Sequence, residues 1–419
     1  MERKIVEWLR AWKTSENRRG LVISGLNGVG KTYTICEFAT NEYKNYVYFN
    51  IESNNIIRKM LEKEVDESKI IMRLEEFSHE KIDPKDTLII LDDIHASEKA
   101  LLSLKYFGNY HVIAIGTNVE PLINKNKTSS LIGKIQFKNF YPLDFEEFLM
   151  ALGKGDMVEK IRNSYLNNKR LEIHKEVRKL FETYIILGGL PQVIKEYVEN
   201  GFSPRIAIIQ KNIFDSMLSP IMSYKYDLSK IEEIIRSIPD QLLKENKKFK
   251  YASIRKGARE SEYIKPFEFL GTMGLIIKCH KVDNPATSLV SSKLDNSFKI
   301  YFRDLGMLTH RYGLKYEELL DDKDIHNAMI ESFVAASLLN NGYVPYYWES
   351  KGKASIAFVT RNKEGIVFPI DVKIKDVPSK DLNSYIKINN PVISVRVSDD
   401  NFSFKNGIKT IPYYAIFCL

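Results

Sequence analysis

The sequence predicts an α/β protein that begins with a parallel sheet covered by helices, continues through a helical stretch and returns to a second α/β region. Short β-branched runs at Leu21-Val-Ile-Ser24, Tyr46-Val-Tyr-Phe49, Leu88-Ile-Ile-Leu91 and His111-Val-Ile-Ala-Ile115 alternate with amphipathic stretches, the pattern of strands joined by helical crossovers. These runs are nearly continuous in apolar residues, as strands buried on both faces must be. A glycine-rich loop, Gly25 to Thr32, separates the first run from the helical stretch after it. From about Phe145 to Tyr226 the pattern is helical, broken at Gly188-Gly189-Leu190-Pro191. Residues 229 to 282 read as short helices ending in the β-rich Leu275-Ile-Ile-Lys-Cys279, and residues 298 to 419 as mixed α/β.

At 419 residues the chain exceeds what one core usually holds, so more than one domain is expected. Apolar residues make up 44% and charged residues 28%, which excludes a disordered chain. The N-terminus carries charges where a signal peptide needs an apolar stretch, and no apolar run approaches the ~20 residues of a membrane span. A cytoplasmic location without membrane contact is expected. Cys36, Cys279 and Cys418 are scattered and include no CxxC pair, which suggests neither a disulfide framework nor a zinc site. A net charge of +8 and a pI near 9.0 suit an anionic partner and equally a lysine-rich solvated surface. The charge concentrates between Lys244 and Arg259, where Lys244, Lys247, Lys248, Lys250, Arg255, Lys256 and Arg259 stand against one acid, Glu245.

Gly25-Leu-Asn-Gly-Val-Gly-Lys31-Thr32 fits G-x-x-x-x-G-K-[ST], directly after a strand and before a helix whose apolar face includes Ile35, Phe38 and Ala39. Glycines let such a backbone wrap phosphates with its N–H groups inward, and the helix N-terminus adds partial positive charge. Gly25, Asn27, Gly28, Val29, Gly30, Lys31, Thr32 and Tyr33 are therefore the expected nucleotide contacts, with a nucleoside triphosphate and Mg²⁺ as the ligands. Lys31 would reach the β- and γ-phosphates, and the Thr32 hydroxyl would ligate Mg²⁺.

Downstream, Leu88-Ile-Ile-Leu-Asp92-Asp93 ends an apolar run in paired acids. Mg²⁺ is a hard cation that takes one or two carboxylates, so Asp92 beside Thr32 is the expected second ligand. Asp93 is then placed to orient or deprotonate the attacking water. The next run ends in Gly116-Thr117-Asn118, which makes Thr117 and Asn118 candidate γ-phosphate sensors, although both types are common in turns. The histidines show no metal-ligand spacing, and His95 is the one near this chemistry.

In these residues the chain resembles the bacterial and archaeal AAA-type ATPases that carry a C-terminal domain of unknown function. The resemblance rests on the P-loop, Tyr48-Phe-Asn-Ile-Glu52, the acidic strand end, Gly116-Thr-Asn118 and Phe140-Tyr-Pro-Leu-Asp-Phe-Glu-Glu-Phe148. It continues through His174, Tyr184 to Pro191, Phe249-Lys-Tyr251, Gly257-Ala-Arg259 and Ile300-Tyr-Phe-Arg-Asp-Leu-Gly306. Glu331, Tyr346-Tyr-Trp348, Ile370-Asp-Val-Lys373, Arg396-Val-Ser398 and Tyr414-Ala-Ile-Phe417 complete it. The resemblance implies that the nucleotide is ATP. It also implies an AAA-like ATPase core over 1–142, a helical lid over 143–228, a winged-helix-like segment over 229–282 and a restriction-nuclease-like domain over 283–419.

Departures from the family matter. Asn27-Gly28 replaces the usual Arg-Gln within the P-loop, which leaves phosphate binding intact. Asp93 stands where Glu is usual; one methylene shorter, it implies slow hydrolysis. Lys134 replaces an Arg and loses the bidentate fork. A nuclease-like site needs a helix Glu, a strand Asp and an acid-x-Lys strand. Glu331 and Asp371-x-Lys373 match two of these, but Ser355 and Ala357 stand in the segment where the family reads Glu-Val-Asp-Phe. Losing one carboxylate from a two-carboxylate Mg²⁺ site removes most of its affinity, so an inactive domain is expected. In the winged-helix-like segment two readings stand. Arg255, Lys256 and Arg259 contact duplex DNA phosphates, or the segment packs and binds protein, which Pro266 in the candidate recognition helix favours. The expected function is an Mg-dependent, slow ATPase acting as a nucleotide-dependent switch coupled to DNA or a protein partner. The alternative is an ATP-dependent nuclease, and the oligomeric state stays open.

Overall fold

A computed structural model describes the chain apart from residues 118, 120–132, 219–226, 286–287, 315, 352–353 and 374–378, and apart from the side chain of residue 317. It divides into two compact units, Met1–Pro142 with Thr272–Gly274, and Leu143–Gly271 with Leu275–Leu419. Among the described residues, no helix is long and apolar enough to cross a membrane.

In the first unit, β1 (Gly20–Ser24), β2 (Asn45–Asn50), β3 (Thr87–Asp92), β4 (His111–Gly116) and β5 (Ile135–Asn139) form one sheet in the order β2-β3-β4-β1-β5. All four pairings are parallel. The central β3 and β4 are buried at every position, which is why they read as unbroken apolar runs. The edge strand β2 buries Val47 and Phe49 and leaves Tyr46 and Tyr48 partly exposed. The other edge, β5, carried no apolar run to mark it, because its apolar residues, buried Ile135 and exposed Phe137, alternate with polar ones. Helices Asn55–Lys63 and Glu67–Ser78 bring Ile57, Leu61, Ile70 and Leu74 into the same core, each begun by a side-chain cap from Asn54 or Asp66. Because the strands are parallel, the carboxyl ends of β1, β3 and β4 come together, with Ser24 beside Gly116 in the register. In open α/β sheets that end holds ligands.

The second unit contains β6 (Ile276–Val282), β7 (Lys293–Phe302), β8 (Tyr346–Glu349), β9 (Ser355–Arg361), β10 (Val367–Val372), β11 (Ser394–Ser398), β12 (Ser403–Lys405) and β13 (Ile408–Pro412). They form a mixed sheet in the order β12-β13-β11-β10-β9-β8-β6-β7. The fold is thus α/β throughout, with a P-loop parallel sheet and a second mixed-sheet region. The expected cuts at 228/229 and 282/283 are not unit boundaries. β6 and β7 lie on either side of the second cut and pair along their length, and both join the sheet built by residues 346 to 412. Aromatic packing also ties the helical stretch to the C-terminal end: Phe145, Phe181, Tyr184 and Phe333 stack edge-on, and Phe181 lies against Tyr413.

The Gly188-Gly189 break ends the helix His174–Leu187 and meets the helix Leu305–Tyr312 backbone to backbone. Gly188 has φ 75°, and a Cβ there would sit 2.3 Å from the Gly306 nitrogen. Asp304, 3% exposed, accepts a 2.6 Å bond from the Gly189 N–H. Burial nevertheless raises its carboxyl to about 6, against the pull of the Gly189, Gly306 and Met307 amides. A folded pKa above the unfolded value means that the native state binds the proton more tightly. The Asp304 contribution is therefore greatest below about pH 4 and is lost as pH rises towards 6, by about 3 kcal/mol in all, from about two units at ~1.4 kcal/mol each. Asp304→Asn should remove that slope from chemical denaturation measured between pH 4.5 and 7. An unchanged slope would locate the titration elsewhere.

Candidate functional site

The P-loop follows β1 and leads into the helix Lys31–Glu42. Gly25 lies so close to the following segment that a Cβ would be 2.2 Å from the Phe140 carbonyl oxygen. Gly30 takes φ 89° as the residue before the helix, a conformation that costs glycine nothing.

Lys31 is buried, and its ammonium folds back over the loop. Nζ donates to the carbonyls of Gly25 at 2.9 Å and Leu26 at 2.8 Å, and to Thr117 Oγ1 at 3.3 Å. Burial pushes it down to about 8, against the attraction of Asp92 and Asp93. The ammonium is thus desolvated and held by neutral oxygens, a state that an anion in the loop would relieve.

Thr32 and Asp92, sixty residues apart, meet at 2.7 Å, hydroxyl to Oδ2. The Tyr48 hydroxyl donates to the same oxygen at 2.9 Å, and Asp92 Oδ1 accepts the Asp93 amide at 2.9 Å. A hydroxyl and a carboxylate at this spacing form a hard oxygen donor set that fits Mg²⁺. Asp93 adopts the left-handed φ 51° and is fixed by Asn50, whose Nδ2 donates to Oδ2 at 2.7 Å. Asn50 is itself oriented by the Ser53 amide and hydroxyl, which donate to its Oδ1.

His95 links this acid to the next strand. Its Nδ1 lies 3.9 Å from Asp93 Oδ1 and accepts from the Thr117 N–H at 3.4 Å, while burial keeps the ring below its ordinary pKa and so neutral near pH 7. Thr117 Oγ1 also lies 3.4 Å from Asn27 Oδ1, so P-loop, Thr117, His95 and Asp93 form one polar chain. Among the described residues, Glu52, Asp93 and His95 also place ligand atoms within 4.8 Å of one another. Tyr33 is 65% exposed beside the loop. Asn118 lies outside the described residues; Lys134 follows Gly133 in a turn ahead of β5.

The other candidates do not join this constellation. Arg255 is held by neighbours of its own unit: Nη2 pairs with Glu262, and Nε donates to the Tyr263 hydroxyl at 3.2 Å. Lys256 and Arg259 are exposed. Pro266 is buried within the helix Glu260–Thr272. Glu331 is buried and saturated: Lys247 Nζ reaches Oε2 at 2.6 Å, Lys299 Nζ reaches Oε1 at 3.1 Å and the Tyr301 hydroxyl donates to it. Burial opposes its ionisation, but these cations hold the carboxyl well below its usual range. Lys373 pairs with Asp381 at 3.2 Å and stands 3.9 Å from Asp371, whose carboxyl burial pushes up.

Residues that the sequence reading left without a role are Tyr48, Asn50 and Arg3. Tyr48 and Asn50 turn polar ends to Asp92 and Asp93 from an edge strand, Arg3 donates to the Val29 carbonyl of the loop from the N-terminal segment, and hydrophobic periodicity says nothing about them.

Residues 17–149 match the family model described as AAA domain. Residues 178–318 match a domain of unknown function (DUF8612), and 326–416 match another (DUF4143). No curated relative matches. Among solved structures, Aeropyrum pernix ORC2 in its ADPNP–ADP complexes is similar at 11% identity over 78% of this chain and 93% of that one, with a TM-score of 0.36. The Thermotoga maritima RuvB Holliday junction branch migration motor is similar at 14% identity over 66% and 90%, with a TM-score of 0.32. At such scores neither likeness bears on ligand or partner. The domain match and the loop, strand and carboxylate geometry together make the first third of this chain an AAA-type P-loop domain.

Proposed function

We propose that this protein binds ATP with Mg²⁺ at the P-loop, hydrolyses it slowly, and uses the nucleotide state as a switch on DNA or a protein partner. The observation that carries the reading is the 2.7 Å approach of Thr32 to Asp92 beside a buried Lys31. Those two oxygens would hold Mg²⁺, which supplies charge neutralisation to the phosphates when bound. Lys31 turns from the Gly25 and Leu26 carbonyls to the β- and γ-phosphates, and the loop amides bind phosphate oxygens. Asp93 accepts a hydrogen bond or proton from the attacking water while Asn50 fixes its carboxylate. A carboxylate one methylene shorter than the usual Glu reaches less far, which makes turnover slow.

The C-terminal region serves as a binding or packing domain that does not cut DNA. Ala357 supplies no carboxylate, and Glu331 is already neutralised by Lys247 and Lys299. Its order of helix Lys323–Asn340, β8, β9, β10, helix Lys380–Asn389 and β11 accords with a nuclease-like ancestry.

ATP turnover with Mg²⁺, measured with and without mixed-sequence duplex DNA, tests the reading. Turnover should rise with DNA while the duplex stays intact. Lys256→Ala and Arg259→Ala should each weaken DNA binding and lower the salt slope by about one. Arg255→Ala should change the slope little, because Glu262 and Tyr263 already occupy its guanidinium. Absence of ATP binding would overturn the whole reading. Turnover indifferent to DNA would leave the switch acting on protein.

A further inference from the structure

We infer that Arg3 is a positioning residue for the phosphate-binding loop, locking the Val29–Gly30 peptide so that the Gly30 N–H faces the nucleotide. The inference rests on the ATP-binding reading above.

Arg3 is 6% exposed, unusual for a side chain that is almost never fully buried without partners. Its Nη1 donates to the Val29 carbonyl at 2.9 Å and Nη2 to the Tyr141 carbonyl at 2.7 Å, 138 residues away. The guanidinium also lies 4.4 Å from the centroid of the Phe140 ring. The Phe140 amide donates to Ser24 at 2.7 Å, and its carbonyl crowds Gly25. Both ends of the loop are thus tied to the Phe140-Tyr141 segment, the near end by backbone contact and the far end through Arg3.

The chemistry follows from one planar unit. In a trans peptide the C=O and the next N–H point in opposite directions. A Val29 carbonyl held on Arg3 therefore sends the Gly30 N–H the other way. Gly30 sits at φ 89°, where glycine tolerates either orientation of the preceding peptide, so nothing local prevents a flip. A flipped peptide would present an oxygen to the phosphates in place of a donor. The planar guanidinium, with donors matched to two carbonyls at once, fixes the orientation as a lysine cannot.

The test compares wild type, Arg3→Met, Arg3→Lys and Lys31→Ala by calorimetric ATP affinity, by KM and kcat, and by thermal unfolding. Arg3→Met should weaken ATP binding by about tenfold, the loss of one charge-assisted bond. KM should rise in parallel, with kcat within about twofold, because binding is lost equally from ground and transition states. Arg3→Lys should recover part of the affinity by reaching one carbonyl. A merely structural role would lower the melting temperature and the active fraction, hence apparent kcat, and leave KM unmoved. Wild-type affinity in both Arg3 variants, with binding lost in Lys31→Ala, would overturn this inference alone. Wild-type affinity in Lys31→Ala would overturn the nucleotide-site reading on which it rests. Arg3→Lys keeps the charge and most of the volume, so it remains informative if Arg3→Met does not fold.

Discussion

Lys31→Ala should reduce ATP turnover by roughly a hundredfold or more, the scale for removing one preorganised charge from a transition state. The expectation comes from where the ammonium starts. It is buried, bonded only to neutral oxygens among the contacts at Gly25, Leu26 and Thr117, and driven down to about 8 by burial. A phosphate anion offers a far better partner, so most of the driving force for binding and for stabilising transferred charge should run through this residue. The substitution also leaves the Gly25 and Leu26 carbonyls without their donor, which could distort the loop. Lys31→Met keeps most of the volume while removing the charge and its donors, and should lose as much. Turnover followed by phosphate release, with ATP affinity measured separately, decides the matter. Activity retained in both variants would mean that hydrolysis does not occur at this loop.

The readable parts of the molecule were those in which one local pattern suffices. β3 and β4 are buried on both faces, so their apolar runs showed strand and depth together. The P-loop is a contiguous motif whose flanking strand and helix could be checked in place. β5 was hidden because an edge strand needs one apolar face only, and Ile135 and Phe137 alternate among polar residues. Pairing of β6 with β7 spans the expected 282/283 cut; it depends on register across a loop, and local composition carries no trace of it. The basic segment stands out in sequence as a concentration of charge with two readings, DNA contact or packing, and within it Lys247 turns inward at φ 50° to reach Glu331, eighty-four residues on. Arg255 similarly spends its guanidinium on Glu262 and Tyr263. Charge counted along a sequence does not separate cations that face solvent from cations that neutralise buried acids. The same non-local geometry concealed Tyr48, Asn50 and Arg3, whose partners lie 44, 43 and 26 or more residues away in sequence.

Asp93→Asn should lower kcat by roughly a hundredfold, within the range for losing a general base, and leave ATP affinity close to wild type. The amide keeps the shape and can still meet Asn50, but it cannot take a proton or carry negative charge towards the water. Asp93→Glu tests the opposite direction. The longer chain carries its carboxylate further towards the nucleotide and should raise kcat several-fold if reach limits turnover. Two features oppose the gain. The left-handed backbone at φ 51° suits Asp better than Glu, at a cost of about 1 kcal/mol. The 2.7 Å bond from Asn50 was set for the shorter side chain. Combining Asp93→Glu with Asn50→Ala separates them: if the Asn50 bond restrains the longer acid, the double variant should turn over faster than Asp93→Glu alone. If both Glu variants are slower than wild type while Asp93→Asn is inactive, position and not reach governs the base. Slow hydrolysis would then be a property of the Asn50, Asp93 and His95 geometry as a whole. Undiminished turnover in Asp93→Asn would remove Asp93 from the chemistry and leave Glu52, which shares a cluster with Asp93 and His95, as the next carboxylate to replace.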